Sequence, residues 1–224
     1  MTLSARRTAV VVSLGLASLG CCGLVLVRNV YTGNENFRYL IWNLFLAWVP
    51  FVLALLFYDG QRRGMRAPAL AVLGALWLAF FPNAPYIVTD FVHLSRDSLS
   101  PLWFDGLTIG SFAATGLLLG LGSLYLVQSA VRRELGWLVV AASLLLGSIG
   151  IYLGRFVRLN SWDFVTNPHY VAYVVRLRLA DPFGNPRLIA VVVTSTLMLA
   201  AAYLLVYAIA SPSLQLERDR TRAR

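Results

Sequence analysis

The chain is predicted to be an all-α, polytopic membrane protein of six transmembrane helices. The third helix is broken at Pro82-Pro85, and an amphipathic interfacial helix lies between the fifth and sixth. Three observations carry that expectation. Of 224 residues, 58% are hydrophobic and only 13% charged, where a soluble domain has an apolar share of roughly 45–50%. The mean hydropathy is +0.70. Apolar runs of the ~20 residues that a bilayer requires recur at Thr8 to Val27, Tyr39 to Tyr58, Pro68 to Val88, Phe104 to Val127, Trp137 to Leu153 and Leu188 to Ala210. Residues 1–210 are thus read as one six-helix domain and 211–224 as a polar cytoplasmic tail, frayed or lying on the inner surface.

The first span follows Arg6 and Arg7 and contains both cysteines, Cys21 and Cys22. Its apolar run continues to Val27, too long for a cleaved signal and right for a retained anchor. Adjacent thiols do not bridge without strain, so the cysteines do not reveal the redox compartment. The second span carries Asn43 about one turn from its start. The third is interrupted by Phe81-Pro82-Asn83-Ala84-Pro85-Tyr86 and then reaches Asp90. Two prolines free backbone carbonyls that hydrocarbon cannot satisfy, so such chain persists only against protein or a wet cavity. Asn83, between the prolines, is expected to serve those carbonyls. Phe81 is thirteen residues past Pro68, or about 20 Å along a helix, which places the break in the outer third of the bilayer.

Ser100-Pro101 and Asn185-Pro186 predict capped starts for the fourth and sixth spans. Asp105 then falls in the first turn of the fourth, where the helix dipole favours a carboxylate and capping is its expected role. Glycines four apart, at 106/110, 116/120 and 150/154, predict close helix packing. The tryptophans are read as an aromatic belt at the span ends. Between the fifth and sixth spans the connection from Arg155 to Arg187 is too long to be structureless. Asn167-Pro168 begins a short helix in it, with Val171, Val174, Val175 and Leu179 to one side.

All nineteen basic residues are arginine, against ten acids, giving a net charge of +9. The arginines are scattered between spans rather than gathered on one face, which excludes the footprint of a nucleic-acid binder and suits lipid headgroups. With the amino terminus inside, eleven arginines lie on the inner side and eight on the outer. Five of those eight sit in the connection before the last span. The positive-inside rule therefore predicts both termini in the cytoplasm of a bacterial inner-membrane protein.

The polar residues converge on the other side. By parity Asn43, Asn83, Asp90, His93, Arg155, Arg158, Asn160, Trp162 and Asp163 all fall there. Asn43-Leu44-Phe45-Leu46-Ala47-Trp48-Val49-Pro50, then Phe81 to Tyr86 with Thr89-Asp90 and His93-Leu94, then Gly154-Arg155-Phe156 with Asn160-Ser161-Trp162-Asp163, resemble in order a family of bacterial multi-pass membrane proteins, domain of unknown function 1361. The resemblance implies a fold and a membrane location, and no activity.

The residues themselves allow more than one chemistry. Asp90 and His93, three apart, share a face and could move a proton or hold one ion, with Asp163, Asp97 or His169 as a third ligand. These form no recognised metal motif, and no cofactor is expected, a divalent metal being the only one weighed. Arg155 and Arg158 could clamp a phosphate or carboxylate of a small anion or anionic amphiphile. The plainer alternative is pairing with Asp90, Asp97 or Asp163. Asp163 would orient a partner, Trp162 could stack on a ligand, and Asn160, Asn43 and Asn83 would complete the site. Binding or chemistry at the outer face is the leading reading. A transporter or channel and a structural subunit of a membrane complex are the alternatives.

Overall fold

The computed structural model describes residues 3–95, 99–159, 163–180 and 184–222, without the side chains of 3–4, 164–165, 179 and 211–222. The described chain is helical, with no strand. Six helical stretches are long and apolar enough to cross a membrane, at 5–32, 38–62, 67–93, 102–130, 133–157 and 186–210. All six expected spans are present. Each is longer than its apolar run because the helix continues into flanking polar residues.

In chain order the elements are α1 (Leu3–Thr32), α2 (Arg38–Arg62), α3 (Ala67–Phe80), α4 (Asn83–Tyr86) and a 3-10 segment (Ile87–His93). Then follow α5 (Leu102–Ala130), α6 (Arg133–Tyr152), a π-helical turn (Leu153–Val157), α7 (Asp163–Thr166), α8 (Pro168–Ala180) and α9 (Pro186–Arg222). With six crossings both termini share one face, here the terminal face; the opposite one is the distal face. The backbone of 211–222 continues α9 without a break.

Helix α5 is the centre of the bundle, packing on α1, α2, α4 with the 3-10 segment, α6 and α9. Van der Waals fit, rather than water exclusion, holds helices together in lipid, and two interlocked layers provide it. Leu40, Phe51, Ile87, Ile109, Phe112 and Leu119 form one. Trp77, Phe81, Leu124, Leu144 and Tyr203 form the other. A third cluster, Tyr152, Leu153, Val171, Val174 and Leu188, seats α8 against α6 and α9. The valines expected on one side of α8 are the ones it buries.

The third span breaks where its prolines require. Pro85 has no N–H for the Phe81 carbonyl, so the Ala84 amide bonds Phe81 instead, at 3.2 Å. That shift deprives the Phe80 carbonyl of its helical partner, and the Asn83 side-chain amide donates to it at 3.0 Å. The altered chain is then gripped from both sides by glycines. A Cβ at Gly116 would lie 2.8 Å from the Ala84 carbonyl oxygen, one at Gly120 2.9 Å from the Ala84 Cβ, and one at Gly150 2.5 Å from the Pro82 ring. The 116/120 pair of α5 and Gly150 of α6 are the walls that receive the break, whereas nothing lies within 4 Å of a Cβ at Gly106.

Local expectations are corrected at α5 and at Trp77. Helix α5 starts at Leu102, with Pro101 in the cap position and no side-chain cap, and Asp105 pairs with Arg28 instead of capping. Trp77 is not in a belt; it is buried and its indole N–H donates to Ser123 Oγ at 3.1 Å. Beyond the break the chain is also helical, as a 3-10 segment, the continuation that the shared face of Asp90 and His93 needs. The sixth-span start does hold, with Asn185 Oδ1 accepting the Leu188 amide at 3.3 Å.

Candidate functional site

At the distal end of the broken span the 3-10 repeat of three residues per turn stacks Ile87, Asp90 and His93 on one side. Ile87 enters the core, which draws Asp90 down with it until only 1% of the residue is accessible. A buried carboxylate must be paired and hydrogen-bonded. Asn43 of α2 donates its side-chain amide to Asp90 Oδ2 at 2.9 Å. Arg155, from the π-helical turn, donates Nη1 to Asp90 Oδ1 at 3.4 Å.

Arg155 binds the whole segment rather than the carboxylate alone. Its Nη2 donates to the Thr89 carbonyl at 3.0 Å and lies 3.2 Å from His93 Nε2, and Nη1 is 3.3 Å from the Tyr86 hydroxyl. The guanidinium stands 5.8 Å over the Tyr86 ring. Arginine has only donors, so in this contact His93 Nε2 stands as the acceptor. The Tyr39 ring meets the imidazole edge-on at 5.2 Å. Tyr86 and Tyr39 were not among the sequence-predicted site residues.

The π-turn explains how Arg155 gets there. One extra residue per turn turns the Arg155 side chain toward the broken span, and the turn ends at Arg158 with φ 64° and ψ 31°. That left-handed conformation is rare outside glycine. Arg158 is exposed, and among the described residues no hydrogen bond or ion pair joins it to Asp90, His93 or Arg155. Asp163 opens α7, half-buried. His169 is exposed on α8. Asn160, Trp162 and Asp97 lie outside the described residues. Among the described residues no three of His, Cys, Asp and Glu gather around a common metal position.

Beside this cluster lies a cavity of about 570 Å³, lined by α2, α3, α4, α6, the π-turn and Val175 of α8. Its wall is mainly aliphatic, with Asn43, Asn83 and Tyr86 at its polar end. Asn43 and Tyr86 therefore belong to both structures, bonding Asp90 and Arg155 on one side and facing the cavity on the other.

A second buried ion pair escaped the sequence reading. Arg28 of α1 donates Nε to Asp105 Oδ1 at 2.7 Å and Nη2 to Oδ2 at 3.4 Å, with 4% and 1% of the two side chains accessible. The Ser100 hydroxyl also donates to Asp105, and Phe37 packs 3.8 Å beneath the guanidinium. Two opposite charges near the same ends of two spans were the available signal, since intramembrane charges pair.

The model of a family described as protein of unknown function, DUF1361, matches residues 42–202. That stretch holds Asn43, Tyr86, Asp90, His93, Arg155 and the whole cavity wall, and excludes α1 and Tyr39. No curated protein and no solved structure matches the chain.

Proposed function

Because this chain belongs to the DUF1361 family of multi-pass membrane proteins, whose description assigns no activity, we propose a function from its geometry: it binds an anionic amphiphile at the distal face. The observation that carries this reading is the sharing of Asn43 and Tyr86 between an ionic cluster and an apolar cavity. An amphiphile requires that combination of surfaces side by side, and a small water-soluble anion does not.

Arg155 is the anion ligand in this reading. Its bond to Asp90 is long and single, weaker than the two-pronged contact a phosphate offers, so an arriving headgroup competes for Nη1 and Nη2. Asp90 keeps its hydrogen bond from Asn43 throughout. Turning Arg155 toward the headgroup also uncovers His93 Nε2, which now contacts the guanidinium, and leaves the imidazole facing the anion. The distribution of arginines, eleven against three once the long connection is set apart, supports cytoplasmic termini in a bacterial inner membrane, and hence a site on the outer leaflet.

The test is selective lipid retention by the purified protein, with native mass spectrometry comparing phosphatidylglycerol and phosphatidylcholine. The wild type is expected to favour the anionic lipid about tenfold, near 1.4 kcal/mol, and Arg155→Gln to lose that preference while remaining folded. Equal retention of both lipids by the wild type would refute anion recognition.

A further inference from the structure

We infer that the cavity takes a single hydrocarbon chain of a lipid in the leaflet on the distal side, and that the chain slips in sideways from the bilayer. This deepens the reading above and rests on it for the headgroup, though not for the chain.

The opening points to lipid rather than to water. Helix α3 packs against α2, and the space on its other flank, toward α6, is the cavity. Its rim carries Trp42, Ala75 and Leu146, all exposed on the protein surface and all inside membrane-spanning segments. A gap at that depth faces acyl chains. The distal end, by contrast, is capped by Leu159 and by Val175 of α8, so α8 roofs the crevice against the aqueous side.

The dimensions fit one chain in one leaflet. From Ala75 to Tyr86 is eleven residues and from Leu146 to Gly154 eight, about 12–16 Å at the helical rise, against roughly 15 Å for half of a ~30 Å hydrocarbon core. Ala75 is eight residues in from Ala67, placing the lower end near the bilayer midplane. Asn83 and Tyr86 sit where the chain would meet its polar head. Alanines at 75 and 79 leave the width that a chain needs. Larger side chains there would close it.

The experiment uses the full chain in nanodiscs of phosphatidylglycerol doped with the same lipid carrying a diazirine at the end of one acyl chain. After irradiation, adducts are mapped by peptide mass spectrometry. Adducts on 75–79 and 146–150 are expected to exceed those on equally lipid-facing stretches of α1 and α9 by about tenfold, the ratio that 1.4 kcal/mol of selective burial gives. Leu146→Trp, a change at the exposed rim, is expected to reduce crevice adducts by a similar factor and leave labelling of α9 unchanged. Adducts spread evenly over all lipid-facing helices, or undiminished in a folded Leu146→Trp, would overturn the inference; the wild-type map alone decides it if that variant does not fold. Crevice labelling that is equal with a phosphatidylcholine probe, and unchanged in Arg155→Gln, would sink the anionic-headgroup reading and leave the chain site standing. Labelling abolished by free glycerol phosphate would mean that a soluble anion displaces the lipid, against a chain-driven site.

Discussion

Asp90 shows how one residue is fixed by neighbours on two other elements. Asn43 and Arg155 hold its two oxygens, the pairing that a carboxylate buried this deeply requires. Asn83 has a smaller task, and its replacement by alanine is expected to cost about 1 kcal/mol, the worth of one buried hydrogen bond, read from thermal unfolding in detergent. The Arg28 and Asp105 pair carries more. Replacing Arg28 by leucine strands a buried carboxylate and is expected to cost about 3–5 kcal/mol, whereas exchanging both partners for apolar residues of like volume is expected to be close to neutral. A double variant as unstable as the Arg28 single variant would show that the pair holds the fold beyond compensating its own charges.

At the scale of elements, the broken span depends on the helices around it. Gly150→Ala drives a methyl to within 2.5 Å of the Pro82 ring, and the ring cannot turn aside. A loss of about 1–3 kcal/mol is expected from such overpacking, while Gly15→Ala, where nothing lies within 4 Å, serves as a neutral control in the same unfolding assay. The π-turn stores strain at Arg158. Arg158→Gly is expected to stabilise by up to about 1 kcal/mol, the left-handed penalty less the chain entropy that glycine adds. A measured loss instead would assign the Arg158 side chain a structural contact.

For the whole molecule, the six crossings set which ends meet. Arg7 and Asp59 join α1 to α2 at the terminal face through two bonds of 2.6 and 2.8 Å, while both buried ion pairs lie toward the distal face. Single cysteines at Asn34 and Arg63, in a chain with Cys21 and Cys22 replaced by serine, are expected to react with a membrane-impermeant thiol reagent from opposite sides. Labelling of both from one side would break the topology. Positive-inside orientation further expects position 63 to react only from the cytoplasm.

Hydropathy and proline placement were enough to determine the six spans and the position of the break, because both are local: a bilayer demands about twenty apolar residues, and a proline removes a specific hydrogen bond. That Asn43, Asp90, His93 and Arg155 share one side of the membrane was legible from parity alone. Their partners were not. Whether Arg155 or Arg158 turns inward depends on a π-turn and a left-handed residue that no pattern in the sequence announces, and Arg28 finds Asp105 across 77 positions only once α1 has docked on α5. The cavity is likewise a property of packing, for it exists where α3 and α6 stand apart, and spacing within any single helix carries no record of the distance to another.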